Sequence, residues 1–286
     1  MAVEFVFQQA TRAQAKARIA LTGPSGAGKT FTALAIASGL GNRIGVIDTE
    51  HGSASKYAHR FSFATLNLDS FDPRLFVKAI EAAEQAGFDV IVIDSLSHAW
   101  EGKDGALEQI DKHKGSVGGN QWAAWSKVTP MHRDLIEAIV GSSSHVIATM
   151  RTKTAWEAAE GKKTPQKIGL APIQRDGMEY EFDVVGAIDL DHNLEIQKTR
   201  YEELDGQRIY LPGPDLGRMI RGLLSAGAPP VQQFHPAMTQ TPAPVSQPAP
   251  QAPPVAHQPP TAPAAPTQVP SLPPEANCAD ESQRNE

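Results

Sequence analysis

Eight residues near the beginning of the chain have the types and spacing of a phosphate-binding loop. Gly23-Pro-Ser-Gly-Ala-Gly-Lys29-Thr30 matches the pattern G-x-x-x-x-G-K-[ST] and follows a short apolar run. We predict that Lys29 binds the β- and γ-phosphates of a nucleotide and that the Thr30 hydroxyl is a ligand of Mg²⁺. The alternative is an ordinary glycine turn before a helix. The backbone of the loop, whose glycines let N–H groups converge on phosphate oxygens, is predicted to supply the remaining contacts, from Gly23, Pro24, Ser25, Gly26, Ala27 and Gly28.

Two acidic residues follow apolar runs and are candidates for catalysis at this loop. Asp94 ends the run that begins at Val90, and a carboxylate at the end of a buried strand can hold Mg²⁺ through water. Its alternative role is to cap the next helix. Many P-loop ATPases place a glutamate directly after this aspartate, but that position is Ser95 here. Glu50 lies just after the strand-like run that ends at Ile47. It is therefore the candidate that polarises an attacking water, unless it is a solvated loop acid.

Short apolar runs alternate with amphipathic stretches along most of the chain. This alternation predicts an α/β fold in which a mainly parallel sheet is flanked by helices. Strands are predicted at Arg18–Leu21, Arg43–Ile47, Val90–Ile93 and His145–Thr149. Helices are predicted at Lys29–Leu40, Pro73–Ala86 and Asn120–Val140, the last begun or interrupted near Pro130. A late antiparallel hairpin is predicted from Tyr180–Leu190 and Asn193–Thr199.

The composition excludes several classes of protein. The chain has 286 residues with 26 basic and 32 acidic side chains, a net charge of −6, which excludes a globally basic nucleic-acid binder but not a local basic patch. It has no run of 18 apolar residues and no signal-like start, so neither a membrane span nor secretion is predicted. The single cysteine, Cys278, excludes a disulfide framework and fits a reducing cytoplasm.

The end of the chain differs from the rest in composition. Sixteen of the 23 prolines lie between Pro229 and Pro274, and no charged residue occurs from Ala228 to Pro274. Such a segment has too few large apolar residues to repay the entropy of ordering. We predict one folded domain at residues 1–227 and a disordered Pro/Ala/Gln-rich tail with an acidic tip at residues 228–286. The tail is either a solubilising linker or a segment that recruits a single-strand binding protein.

Five segments in order resemble the core of RecA. They are GPSGAGKT, VIDTEHGSASKYA, VIVIDSLS, HVIATMRTK and LEIQKTR, and the resemblance covers about Arg18 to Arg200. The chain looks most similar to phage and prophage RecA-like ATPases of the Sak single-strand annealing type, which keep the core alone. The resemblance implies a P-loop ATPase with ATP and Mg²⁺, encoded by a phage and acting in the host cytoplasm.

The resemblance also implies roles for individual residues. It implies that Glu50 activates the attacking water and that Thr149 senses the nucleotide, at a position where recombinases commonly carry Gln. Arg151 and Lys153 would begin a second DNA-binding loop. Lys198 and Arg200 would reach the ATP of a neighbouring subunit in a homo-oligomeric ring or filament.

The stretch from Arg151 to Arg175 is a candidate for binding single-stranded DNA. Its breakers and lack of periodicity predict a long mobile loop, which can follow a phosphate backbone while Trp156 stacks on a base. A solvated loop is the alternative. A weaker DNA candidate is Gly102–Gln121, and Trp122 and Trp125 are predicted to pack in the core or against a subunit. The basic residues of the stretch are Arg151, Lys153, Lys162, Lys163, Lys167 and Arg175.

Three functions remain open at this point. The first is a DNA-dependent ATPase that binds single strands and promotes annealing or recombination. The second is a motor or loader, such as a helicase-like or packaging ATPase. The third is a nucleotide-gated binding module without efficient hydrolysis, which Glu50 would distinguish from an enzyme.

Overall fold

The computed structural model describes residues 15–116, 118–157 and 166–225. The predictions for Lys162, Lys163 and the tail at residues 228–286 lie outside these ranges, so the domain boundary at residue 227 stays a prediction. None of the described helices is long and apolar enough to cross a membrane.

The described residues form nine strands and six helices. The strands are β1 (Arg18–Gly23), β2 (Ile44–Asp48), β3 (Ala64–Asn67), β4 (Val90–Asp94), β5 (His145–Glu157), β6 (Gln166–Pro172), β7 (Val184–Ile188), β8 (Asn193–Thr199) and β9 (Arg208–Tyr210). The helices are α1 (Lys29–Leu40), α2 (Pro73–Gln85), α3 (Ser97–Glu101), α4 (Ala106–Ser116), α5 (Gln121–Gly141) and α6 (Pro214–Ser225).

The strands form one mainly parallel sheet, which confirms the predicted α/β class. The order across the sheet is β3-β2-β4-β5-β1-β7-β8-β9. The first six strands in this order run parallel, whereas β8 and β9 pair antiparallel at the edge. The predicted late hairpin is therefore confirmed, although its first strand is only β7 and follows a 3₁₀ turn at Met178–Glu181.

Helices cover both faces of the sheet because its central strands are apolar on both sides. In β4, Val90 and Val92 belong to the core under α1 and α6, while Ile91 and Ile93 belong to the core under α2 and α5. Alternate side chains of a strand point to opposite faces, so a continuous apolar run needs cover on both. The helix α5 continues through Pro130.

The region predicted as a long mobile loop is different in the structure. The strand predicted to end at Thr149 continues as β5 to Glu157, and β6 returns beside it as an antiparallel partner. Backbone pairing between β5 and β6 makes this region a regular hairpin, although its sequence has no strand-like periodicity. The prediction of a loop from Arg151 to Arg175 was therefore wrong for the described residues of this hairpin.

Five further elements have no predicted counterpart, namely α3, α4, β3, β9 and α6. All four residues of β3 are exposed, so this edge strand lacks the apolar pattern of a buried one. The strand β9 has only three residues. The helix α6 contains two glycines in a short amphipathic stretch, Gly217 and Gly222, which weaken a helix prediction.

Two glycines allow α6 to pack closely against α1. A Cβ atom on Gly217 would lie 2.1 Å from the carbonyl oxygen of Ile36, and one on Gly39 would lie 2.0 Å from that of Pro214. The two helix backbones therefore touch at this point. Gly222, in the same helix, has open space around it.

We predict opposite effects for two alanine substitutions in α6. Gly217→Ala is expected to lower the free energy of unfolding by about 1–3 kcal/mol, since the added methyl group forces the helices apart. Gly222→Ala, the matched control, is expected to raise it by about 0.5–1 kcal/mol through helix propensity. Urea denaturation measures both. Equal effects of the two substitutions would contradict the packing of α6 on α1.

Candidate active site

A cleft of about 510 Å³ opens where β1, β2 and β4 end, beside the middle of β5. The carboxyl ends of parallel strands meet at one edge of a sheet, and ligands of open α/β sheets bind there. The cleft is lined by the glycine loop between β1 and α1, by Glu50 after β2, by Asp94 at the end of β4 and by Arg151 in β5. The structure thus brings together Lys29, Thr30, Asp94 and Glu50, as predicted from the sequence.

The glycine loop has the geometry of an anion cradle. Gly26 and Gly28 have φ angles of 84° and 86°, in the region that favours glycine. Among the described residues, no side chain caps the first turn of α1, whereas Asp72 caps α2 and Asn120 caps α5. The free N–H groups and the helix dipole at the start of α1 therefore suit phosphate oxygens.

Lys29 places its ammonium group inside the cleft. Its Nζ donates to the carbonyl oxygen of Pro24 at 2.8 Å. Burial lowers the pKa of Lys29, while the charges of Asp94 and Glu50 act in the opposite direction. A partly buried cation with one backbone partner suits a phosphate group as its counter-ion.

Asp94 connects the loop helix to β5. Its carboxylate accepts a hydrogen bond from Thr30 Oγ1 at 2.7 Å and a second, short one from the hydroxyl of Thr149. Burial raises the pKa of Asp94, and the two hydroxyl groups oppose that shift. The adjacent oxygens of Thr30 and Asp94 fit a Mg²⁺ ion, which prefers oxygen ligands and would neutralise charge on a bound phosphate. The predicted sensor, Thr149, is thus in contact with the predicted metal site.

The position of Glu50 depends on a residue that the sequence analysis did not select. The carboxylate of Asp48 is buried and accepts hydrogen bonds from the backbone N–H of Glu50 at 2.7 Å and of Ala54 at 3.1 Å. It therefore fixes the turn that carries Glu50 into the cleft. The signal was present in the sequence, because aspartate at the start of a turn commonly accepts from the backbone two residues on.

Arg151 lies in the nucleotide cleft. Its Nε is 3.7 Å from Glu50 Oε1, and its Nη1 donates to His98 Nε2 at 3.1 Å. Because arginine can only donate, His98 is neutral with its proton on Nδ1, 2.7 Å from Thr49 Oγ1. Burial and the charge of Arg151 both lower the pKa of His98, which agrees with a neutral ring. His98 also stacks on Phe71, with 4.8 Å between the ring centroids.

A second cavity, of about 320 Å³, adjoins the cleft and shares Gly26, Gly28 and Tyr57 with it. Apolar side chains, including Phe31, line most of it. His192 closes one side, and its Nδ1 lies 3.0 Å from the carbonyl oxygen of Ala27. This mostly apolar cavity, beside the glycine loop, suits a flat aromatic group.

Lys198 and Arg200 lie at the opposite edge of the sheet. The end of β8 pairs with the start of β7, which pairs with the start of β1, whereas the glycine loop follows the end of β1. Lys198 Nζ donates to the carbonyl oxygens of Glu179, Tyr180 and Phe182 at 3.1, 2.8 and 2.5 Å. Within one chain, neither residue is therefore placed to reach the phosphate loop.

Arg200 is the more accessible of these two residues. Its side chain is 63% exposed, and its Nε is 3.4 Å from Asp183 Oδ1. Among the other DNA candidates, Lys153 is exposed in β5, and Trp156 and Lys167 are paired across the hairpin backbone.

Comparison with known proteins supports the nucleotide site. A comparison with curated proteins gives no match. A family model described as an AAA domain matches residues 15–211, more than half of the chain. The narrower resemblance to Sak-type annealing ATPases stays a prediction. Because this family model covers more than half of the chain, the chain belongs to the AAA domain family of nucleotide-binding P-loop ATPases.

Proposed function

We propose that this protein is a DNA-dependent ATPase that binds single-stranded DNA and promotes annealing or recombination. The observation that carries the ATPase part is the convergence of Lys29, Thr30, Asp94 and Glu50 on one cleft. The phosphates of ATP would lie on the glycine loop, and the base would occupy the adjoining cavity beside Phe31. Mg²⁺, held by Thr30 and by Asp94 through water, would neutralise charge on the phosphates.

Three residues of the cleft have separate roles in the proposed hydrolysis. Lys29 holds the terminal phosphates, and Glu50 accepts a proton from the attacking water. Arg151, paired with Glu50 at 3.7 Å, is placed to exchange this carboxylate for phosphate oxygens. Such an exchange would free Glu50 for the water and add a cation beside the developing charge.

The dependence on DNA is supported by the course of β5. This strand carries Thr149 at the metal site, Arg151 at the candidate base and then Lys153 in the β5–β6 hairpin. Because alternate residues share one face of a strand, the three side chains lie along the same side. Lys153, Trp156 and Lys167 in the hairpin have the chemistry that binds single strands.

The experiment that tests this function is ATP hydrolysis with and without single-stranded DNA. We expect single strands to raise the rate at least severalfold and duplex DNA to raise it much less. Annealing of complementary strands, followed by native gel, separates an annealing protein from a motor. An unchanged rate with single strands would contradict the DNA dependence.

A nucleotide-gated module without efficient hydrolysis is the second candidate, because Glu50 is paired with Arg151 rather than free. Glu50→Gln is expected to retain ATP binding and to slow hydrolysis by roughly 10²–10⁴-fold, the scale of losing a positioned base. Lys29→Ala is expected to lose ATP binding instead. Calorimetry and phosphate release measure the two properties, with the exposed Glu81→Gln and Lys78→Ala as matched controls. Normal turnover by Glu50→Gln would place the base elsewhere.

The positions of Arg200 and the phosphate loop support a role for Arg200 between subunits. The strand β1 has six residues, about 20 Å of sheet, and the two features lie at its opposite ends. We propose that Arg200 reaches the nucleotide of a neighbouring subunit, while Lys198 holds the adjacent turn by its three carbonyl contacts. An arginine supplied in trans stabilises charge on the transferred phosphate.

Mixing two inactive variants tests this contact. Arg200→Ala is expected to bind ATP but to hydrolyse it at least tenfold more slowly, and so is Glu50→Gln. A mixture is expected to regain activity, because the Glu50 of one subunit and the Arg200 of its neighbour complete one site. Arg218→Ala, an exposed arginine in α6, is the control. If the mixture is no more active than its components, Arg200 does not act in trans.

A further inference from the structure

A groove of about 940 Å³ lies beside the base of the β5–β6 hairpin, outside the nucleotide cleft. Three of the chain's four tryptophans line it, together with two basic residues and one acidic residue from the hairpin side. We call it the tryptophan groove, defined by Trp100, Trp122, Trp125, Lys153, Arg175 and Asp176.

The tryptophan groove exposes an aromatic ring that the fold does not need. Trp122 is 86% exposed on the first turn of α5, so packing in the core, one of its two predicted roles, was wrong, while packing against a subunit stays a prediction. None of the ring contacts in the described ranges involves Trp122. Trp125 is held in place, tilted by 42° against Trp100 with 6.1 Å between the centroids. A fixed ring next to an open one makes a stacking platform.

Two basic residues and the acidic Asp176 also line the groove, so these three side chains carry a net charge of +1. Lys153 is exposed and Arg175 is half-buried. Neither forms an ion pair with another residue in the part of the chain that the structure describes. In a protein with a net charge of −6, two cations that have no ion pair with another described residue, in one groove with the exposed Trp122, favour an anionic ligand with flat apolar parts.

We propose that the tryptophan groove binds single-stranded nucleic acid. Unpaired bases stack on Trp122 and Trp125, while Lys153 and Arg175 pair with the phosphates. The remaining lining is mostly polar (Gln121, Ser126, Thr129 and Gln174), which suits a wet, charged strand better than an apolar protein surface. Duplex DNA keeps its bases inside the stack and cannot use the platform. This proposal rests on the proposed function and deepens it, since it names where the strand lies.

The groove also lies close to the nucleotide cleft along one strand. Lys153 is two residues from Arg151, about 7 Å along β5. Single-stranded nucleic acid bound at Lys153 therefore lies next to Arg151, the arginine that pairs with Glu50.

Affinity of the full-length chain for a labelled oligothymidylate, measured by fluorescence anisotropy, tests the groove. Trp122→Ala is expected to weaken binding about tenfold, the effect of losing one stacked base, whereas Trp122→Phe keeps most of the affinity. Lys153→Ala is expected to lower the slope of log affinity against log salt by about one. Tyr210→Ala, which removes another exposed aromatic ring, is the control and is expected to bind normally.

An abasic strand of the same length separates stacking from charge. Its affinity is expected to be the same for wild type and Trp122→Ala, because it has no bases to stack. Normal binding of oligothymidylate by Trp122→Ala would overturn the proposal. So would a Trp122→Ala protein that binds normally but no longer self-associates in sedimentation, since the ring would then cover a second copy of the chain.

Failure of the groove and failure of the proposed function give different results. If single strands raise ATP hydrolysis equally in wild type and Trp122→Ala, and both bind alike, only the groove is wrong. If Trp122→Ala loses affinity but single strands never stimulate the wild type, the groove holds and the DNA-dependent ATPase is wrong.

Discussion

A single buried carboxylate ties the active edge of this protein together. Asp94 ends the central strand β4 and accepts hydrogen bonds from Thr30 at the start of α1 and from Thr149 in β5. Burial of an ionised carboxylate is costly unless it is hydrogen-bonded, so the two hydroxyl groups stabilise its charged form. These two hydrogen bonds link the phosphate loop helix α1, the central strand β4 and the strand β5. A shift of β5 at Thr149 would change the hydrogen bond that Asp94 accepts from this strand.

The strand β5 runs from the nucleotide cleft to the tryptophan groove. At intervals of two residues it presents Thr149 to the candidate metal site, Arg151 to the candidate base and Lys153 to the tryptophan groove. The ion pair between Arg151 and Glu50 joins two partly exposed side chains at 3.7 Å, so its net strength is small. A weak pair is suited to exchange: phosphate or a bound strand can compete for the arginine without a large change in fold.

The grouping of four candidate residues in one cleft could be predicted from the sequence better than the elements around it. Lys29, Thr30, Asp94 and Glu50 were selected because each follows or begins an element with a strong apolar pattern, and parallel strands bring such positions to one edge. Asp48 and His98 were missed, since their roles depend on contacts between loops that no local pattern records. The same reason explains why a loop was wrongly predicted for the β5–β6 hairpin. Gly161 and Pro165 interrupt any periodicity in the sequence, whereas the hairpin depends on pairing between its two strands.

The edge of the sheet opposite the phosphate loop poses a different problem. Lys198 and Arg200 look equivalent in the sequence, two residues apart near the end of one strand. In the structure their contacts differ. Lys198 donates hydrogen bonds to three carbonyl oxygens, whereas Arg200 forms one long ion pair with Asp183. Withdrawing Lys198 would leave those carbonyls without their shared donor, while withdrawing Arg200 breaks one exposed contact. If either residue serves a neighbouring subunit, the smaller cost of release favours Arg200.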